Sequence, residues 1–196
     1  MTDPLRPLWD FDDLDGTEAR FRSLRAEALT QLARVEGLRG RFDEGDRLLD
    51  EATDESPRVR IRVELERGRL RRSSGDNAAA LPLFETAYAA ALAAGEDWLA
   101  GDAAHMAALA APDREGFLAW TSRGLELAER SEAAAYWAGP LLNNLGWEHY
   151  DTGEHEQALE AFERALAVRE RDPENVGAIE AARDAVAEAR RALSRA

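Results

Sequence analysis

Three histidines, His105, His149 and His155, are the side chains of this sequence best suited to acid–base or metal chemistry. His149 and His155 stand six positions apart, with Glu148, Asp151 and Glu154 beside them. Such donors hold a divalent cation when they converge on one helix face, at spacings of roughly three or four. A spacing of six crosses a turn and matches no compact ligand motif, so these histidines are expected to pack or to face water. Paired carboxylates are plentiful because 39 residues are acidic, but without a pocket they make no case for general acid–base work. Cysteine is absent, which removes thiol nucleophiles, disulfides and thiolate-bound metals. No Gly-rich loop follows a strand pattern, so phosphate-loop chemistry is missing too. The sequence predicts no enzyme activity, no catalytic residue, no metal site and no cofactor.

The remaining chemistry is recognition by charge. All 25 basic side chains are Arg, against 39 acidic ones, for a net charge of -14. Such a surface repels nucleic acid and anionic membranes at long range. The lack of Lys, alongside abundant Ala and Gly, reads as genomic base composition. Its consequence is that any anion must be gripped by the planar fork of Arg. One stretch is locally positive and holds Arg58, Arg60, Arg62, Arg67, Arg69, Arg71 and Arg72. On a helical wheel Arg62, Arg69 and Arg72 share a side. A positive groove there would focus an acidic peptide. The alternative is intramolecular, with these arginines facing an acidic N-terminal arm or neighbouring Asp and Glu.

The elements that must position these residues are helical. Hydrophobic residues make up 45% of the chain and charged residues 33%, enough for a continuous core and unlike a disordered chain. Residues 1–16 read as an acidic irregular arm, with Trp9, Phe11 and Leu14 among Asp10, Asp12, Asp13 and Asp15. The arm has no basic end followed by an apolar run, and no later stretch approaches about eighteen uncharged apolar residues. A cytoplasmic protein without membrane insertion is expected. From Thr17, residues Phe21, Leu24, Ala28, Leu32 and Val35 fall on one helix face. Gly40 breaks that run, and Asp43 is placed to cap a second helix that Ser56-Pro57 ends. A third helix is expected over 58–72 and a fourth over 77–94, where Pro82 requires a late start or a kink. A fifth follows Gly95, and Pro112-Asp113 opens a sixth. A seventh covers 131–150 with a break at Gly139-Pro140, an eighth covers 154–171, and Asn175 is placed to cap a ninth. No segment alternates at period two as a strand would.

Aligned on Gly40, Gly75, Pro112 and Gly153, four helix pairs recur at separations near 35, 37 and 41 residues, the signature of helical repeats. Ala33, Gly68, His105 and Gly146 share one position before the turn. Leu49, Phe84, Thr121 and Phe162 share one after it, followed by Ala52, Ala87, Gly124 and Ala165. Small residues let helix axes approach, and the large one plugs the gap beside them. This pattern resembles the tetratricopeptide repeat family. The fourth unit carries the motif best, in Leu145-Gly146, Gly153, Ala158, Phe162, Ala165 and Pro173. The resemblance spans about residues 26–173 and is weakest in the third unit, at His105 and Phe117.

The resemblance implies an all-α fold, a right-handed superhelix of antiparallel helix pairs. The divisions expected are an arm at 1–16, four pairs at 17–57, 58–95, 96–131 and 132–174, and a capping helix at 175–196. It also implies that the first helix of each pair lines a concave groove that holds a protein or peptide segment. Carried over by position, the groove residues are Arg34, with Glu27 and Thr30; Arg62, Arg69 and Arg72, with Leu65; Met106, with Leu99, Asp102 and Leu109; and Asn143, Trp147 and Tyr150, with Asp151. Asn143 is the sharpest of them, because an amide both donates to and accepts from a peptide bond. The residues alone leave other roles open: Asn143 or Asn144 capping a kink after Pro140, and Trp147 or Tyr150 packing on the last helix. The function expected is a non-catalytic binding module whose partner carries an acidic segment. The alternative is an assembly protein acting through helix edges or self-association.

Overall fold

A computed structural model describes residues 5–195; residues 1–4 of the expected arm and residue 196 of the expected last helix lie outside the described residues. The described residues form helices and turns and contain no strand. They fall into two compact units divided between Glu96 and Asp97.

The first unit opens with a short 3-10 turn, Arg6–Leu8, and continues as α1 (Leu14–Leu38), α2 (Phe42–Glu51), α3 (Pro57–Ser73) and α4 (Asn77–Ala94). Helix α1 packs on α2 and α3, and α3 packs on α4. The second unit contains α5 (Asp97–Ala110), α6 (Arg114–Arg130), a 3-10 segment Glu132–Trp137, α7 (Ala138–Asp151), α8 (His155–Arg169) and α9 (Val176–Leu193). There α5 pairs with α6, α7 with α8, and α8 with α9. Each unit is thus a stack of helix pairs joined by short turns, the arrangement that brings antiparallel neighbours together.

Two features of the repeat pattern act as the sequence suggests. Gly75 and Gly153 sit at φ 92° and 79°, left-handed values that a Cβ penalises, so glycine ends the first helix of each pair cheaply. The small-against-large pairs are real contacts. A Cβ at Gly68 would lie 2.5 Å from Cε1 of Phe84, closer than carbon atoms approach without bonding. Gly146 meets Phe162 in the same way. Both phenylalanines are fully buried. The first pair uses Ala33 and Leu49, which form a core with Leu70. In the third, Thr121 is buried and Gly124 is packed by Leu141.

Several expectations are corrected. Helix α1 starts a turn before Thr17, because the Asp13 carboxylate accepts from the Gly16 N–H at 2.9 Å and caps it. Asp43 lies inside α2, whose N-cap is Arg41. Helix α2 ends at Glu51, and Pro57 opens α3 at its first turn, where the missing N–H costs nothing. Helix α4 starts at Asn77 and runs through Pro82. The break expected at Gly139-Pro140 lies earlier, where the 3-10 segment meets Ala138; Pro140 sits within the first turn of α7. Asn175 occupies the N-cap of α9, but its side chain makes no capping hydrogen bond.

The largest correction concerns α1. A helix ordinarily turns its large apolar face to the core. Here Ala26, Thr30 and Ala33 are buried, while Leu24, Leu32 and Val35 are exposed. The helices of this unit approach through small residues, and the larger stripe is left outside.

Candidate functional site

The predicted groove residues fall in both units. In the first, α3 carries the arginine cluster, and the structure pairs it internally. Glu66, only 1% exposed, lies between two guanidinium groups. Arg34 of α1 donates to both its oxygens, from Nε at 2.9 Å and from a terminal nitrogen at 2.6 Å. Arg69 donates to it at 3.0 Å. The fork-to-carboxylate geometry and low exposure make this a strong contact class. Arg62 and Arg58 reach Glu27 at 3.3 and 3.4 Å, and Arg58 also reaches Glu96 at 2.7 Å. Arg67 and Arg71 bind Asp50 and Asp46 at 2.8 and 2.7 Å. Arg72 is partly buried on the same helix. The counterions come from α1, α2, α3 itself and the residue before α5.

The described part of the arm goes elsewhere. Asp10 N–H donates to Thr17 Oγ1 and its carbonyl accepts from that hydroxyl, both at 2.9 Å. Arg20 Nε donates to the Leu8 carbonyl at 2.8 Å. Trp9 stacks on Phe11 and sets its edge on Phe21, each at 5.4 Å between centroids. The arm therefore folds back on the first turns of α1.

In the second unit the four predicted residues separate. Met106 is buried. Tyr150 packs into the core of Phe162, Ala185, Val186 and Ala189 and donates its hydroxyl to Glu188 of α9 at 3.0 Å. That bond to a carboxylate, with burial, raises the phenol above its ordinary range. Trp147 is 39% exposed, with rings of Phe162 and Tyr150 against it at 5.0 and 5.5 Å. It is an aromatic held rigidly from beneath and open above. Asn143, one turn earlier on α7, is partly exposed, and its side chain has no hydrogen-bond partner among the described residues.

Beside Trp147 lies an open cavity of about 350 Å³. Leu109, Phe117 and Trp147 give it apolar walls, and Asn144, Arg114 and Asp151 give it polar ones. Asn144 is tied to His105 Nε2 at 3.1 Å. Arg114 is aimed by Glu148 at 3.2 Å and Glu154 at 2.5 Å. His149 shares Glu154, Nδ1 to Oε2 at 2.5 Å. The bond to His149, and then Arg114, hold the Glu154 carboxyl below its ordinary range.

The histidines do not converge. His105 goes to Asn144 and Trp137, His149 to Glu154, and His155 to the ring of Tyr150. No group of three or more His, Asp or Glu among the described residues is arranged to hold a metal ion. No helix among them is long and apolar enough to cross a membrane. Sequence reasoning passed over Glu66, Arg114 and Trp137. For Glu66 a signal existed: it precedes Arg69 by three on the same helix, a spacing at which side chains meet. Trp137 packs on Gly101 from the end of an irregular segment, where no periodicity could announce it.

With Gly146 under Phe162 and Gly153 in the turn, the α7–α8 pair has the geometry of one known family. Residues 140–172 match the family model of the tetratricopeptide repeat. The match covers α7, its turn and α8, and so includes Asn143, Trp147 and Tyr150. No curated protein and no solved structure matches the chain. The repeat and the helix pairs around it give the chain the character of a protein-interaction scaffold.

Proposed function

We propose that the chain binds a protein or peptide segment along the first helix of the repeat, α7, with Trp147 and Asn143 as the principal contacts. In this reading the pairs wind right-handedly, and the first helix of each pair faces a concave groove. The observation that carries it is Trp147. Its ring is supported by Phe162 and Tyr150 yet remains open to solvent beside a cavity of mixed apolar and polar lining. Rigid aromatics with one free face are typical anchors of interfaces. Asn143 adds an amide able to meet a peptide bond from both sides.

The acidic segment first expected of the ligand takes second place. Arg34 and Arg69 already hold Glu66, and Arg62 already holds Glu27. An acidic ligand would compete with those carboxylates for the same guanidinium groups. Titration against a peptide library tests the proposal with three variants. Trp147→Ala and Asn143→Ala should each weaken binding about tenfold or more, the loss of an anchor worth over roughly 1.4 kcal/mol. Arg69→Ala should change it far less. Binding that ignores both α7 variants would overturn the assignment.

A further inference from the structure

The exposed face of α1 is the feature that the Trp147 site leaves unused. Of thirteen exposed large apolar side chains among the described residues, eight lie before residue 39. Leu5, Trp9, Phe11 and Leu14 belong to the arm and the start of α1. Leu24, Leu32, Val35 and Leu38 lie on one side of α1, with Leu38 82% exposed. Spacings of three, four and seven place them, with Ala28, in a continuous stripe. Its N-terminal end is already covered: the arm lies over Thr17, Arg20 and Phe21 of this side. The chain thus docks an apolar segment on the first turns of the stripe and leaves the rest open.

The charges beside the stripe say what fits it. Arg25 and Glu36 flank one side, and Glu27 and Arg34 flank the other. Each Arg and Glu of a flank are equidistant from the peptide bond between Thr30 and Gln31. A two-fold axis through that point lays a second α1 antiparallel on the first. The Arg25–Glu36 flank then meets its own copy with Arg opposite Glu, while Arg34 and Glu27 of the other flank stay engaged with Glu66 and with Arg58 and Arg62; Leu24 lies across from Leu38, and the small Ala28 from the larger Val35. Gln31 falls near the axis, and its amide can both donate and accept. This self-complementarity is what an isologous interface requires. Arg25 has no ion-pair partner among the described residues, whereas Glu36 is held in place by Arg39 and Arg41.

We propose that Leu24, Leu32, Val35 and Leu38 form the centre of an antiparallel two-fold interface with α1 of a second copy of this chain. The assignment is independent of the Trp147 site. Sedimentation of the full chain over micromolar to millimolar concentrations, at physiological ionic strength to screen the net charge, should show a monomer–dimer equilibrium. Leu32→Glu with Leu38→Glu should shift its midpoint by more than about tenfold, with the helical circular dichroism unchanged. Arg25→Glu should weaken the dimer, and adding Glu36→Arg should restore it. The absence of native cysteine permits a second, geometric readout. Under mild oxidation a Gln31→Cys chain should form a disulfide-linked dimer, and Leu24→Cys mixed with Leu38→Cys should cross-link to each other more than either does to itself. A monomer at every concentration, a dimer indifferent to the glutamate pair, or cross-links that favour like with like would each overturn the proposal.

Discussion

The first and last long helices, α1 and α9, carry similar mixtures of apolar and charged residues and turn their larger side chains in opposite directions. Helix α9 buries Ile179, Ala182, Ala185, Val186 and Ala189, and shows Glu180, Arg183, Asp184, Arg190 and Arg191 to solvent. Helix α1 buries Ala26, Thr30 and Ala33 and shows leucines. They are also fastened differently. Helix α9 is held by apolar burial, the phenol bond to Glu188 and two exposed ion pairs, Arg183–Glu170 and Arg190–Glu163, whereas α1 is held by small-residue packing and ion pairs that include the buried Glu66. A terminal helix of a stacked array needs a polar outer face to end the array in water. By that criterion α9 ends its unit, and α1 leaves its own unit ready for another surface.

The contrast can be broken first at the core beneath α9. Phe162→Ala should cost about 3–5 kcal/mol in denaturant unfolding, while Leu32→Ala on α1, measured at low concentration, should stay within about 0.5 kcal/mol. Equal losses would mean that the α1 stripe is buried in solution. Next in size is the α1 fastening. Glu66→Gln removes the anion between Arg34 and Arg69 and should cost about 1.5–3 kcal/mol, with amide exchange rising first in α1. The caps give a smaller difference: Asp13→Ala should cost about 1 kcal/mol and Asn175→Ala only a few tenths, because the asparagine side chain caps nothing. The smallest effect is expected at Tyr150→Phe. The folded phenol lies above its ordinary range, so its advantage over Phe is complete below the unfolded value. It is lost as pH rises through the folded value. Thermal midpoints of the two proteins should therefore differ at neutral pH and converge in alkali.

The sequence disclosed which residues share a face far better than what that face meets. Gly75 and Gly153 mark turns because their conformations exclude most other residues, and Gly68 and Gly146 mark contacts because an aromatic ring lies on each. Both facts are local and survive translation from sequence to fold. The orientation of α1 is not local. Periodicity groups Leu24, Leu32 and Val35, but only the packing of Leu49 of α2 and Leu70 of α3 against Ala33 of α1 decides that the group faces outward. The arginine cluster was legible as a cluster and illegible as a network, since Arg34 and Glu66 are brought together by the packing of α1 on α3. Trp147 and Tyr150 share one helix and one motif. Only the placement of α9 separates the ring that is covered from the ring that is free.

Glu66 carries one more implication, for how such a chain can change over generations. A carboxylate enclosed by two guanidinium groups is costly to exchange alone: losing it removes the anion that Arg34 and Arg69 share, and losing Arg34 leaves a buried anion with one guanidinium fewer. Positions 34, 66 and 69 are therefore expected to vary as a set among descendants of this sequence, passing together to an uncharged arrangement or not at all.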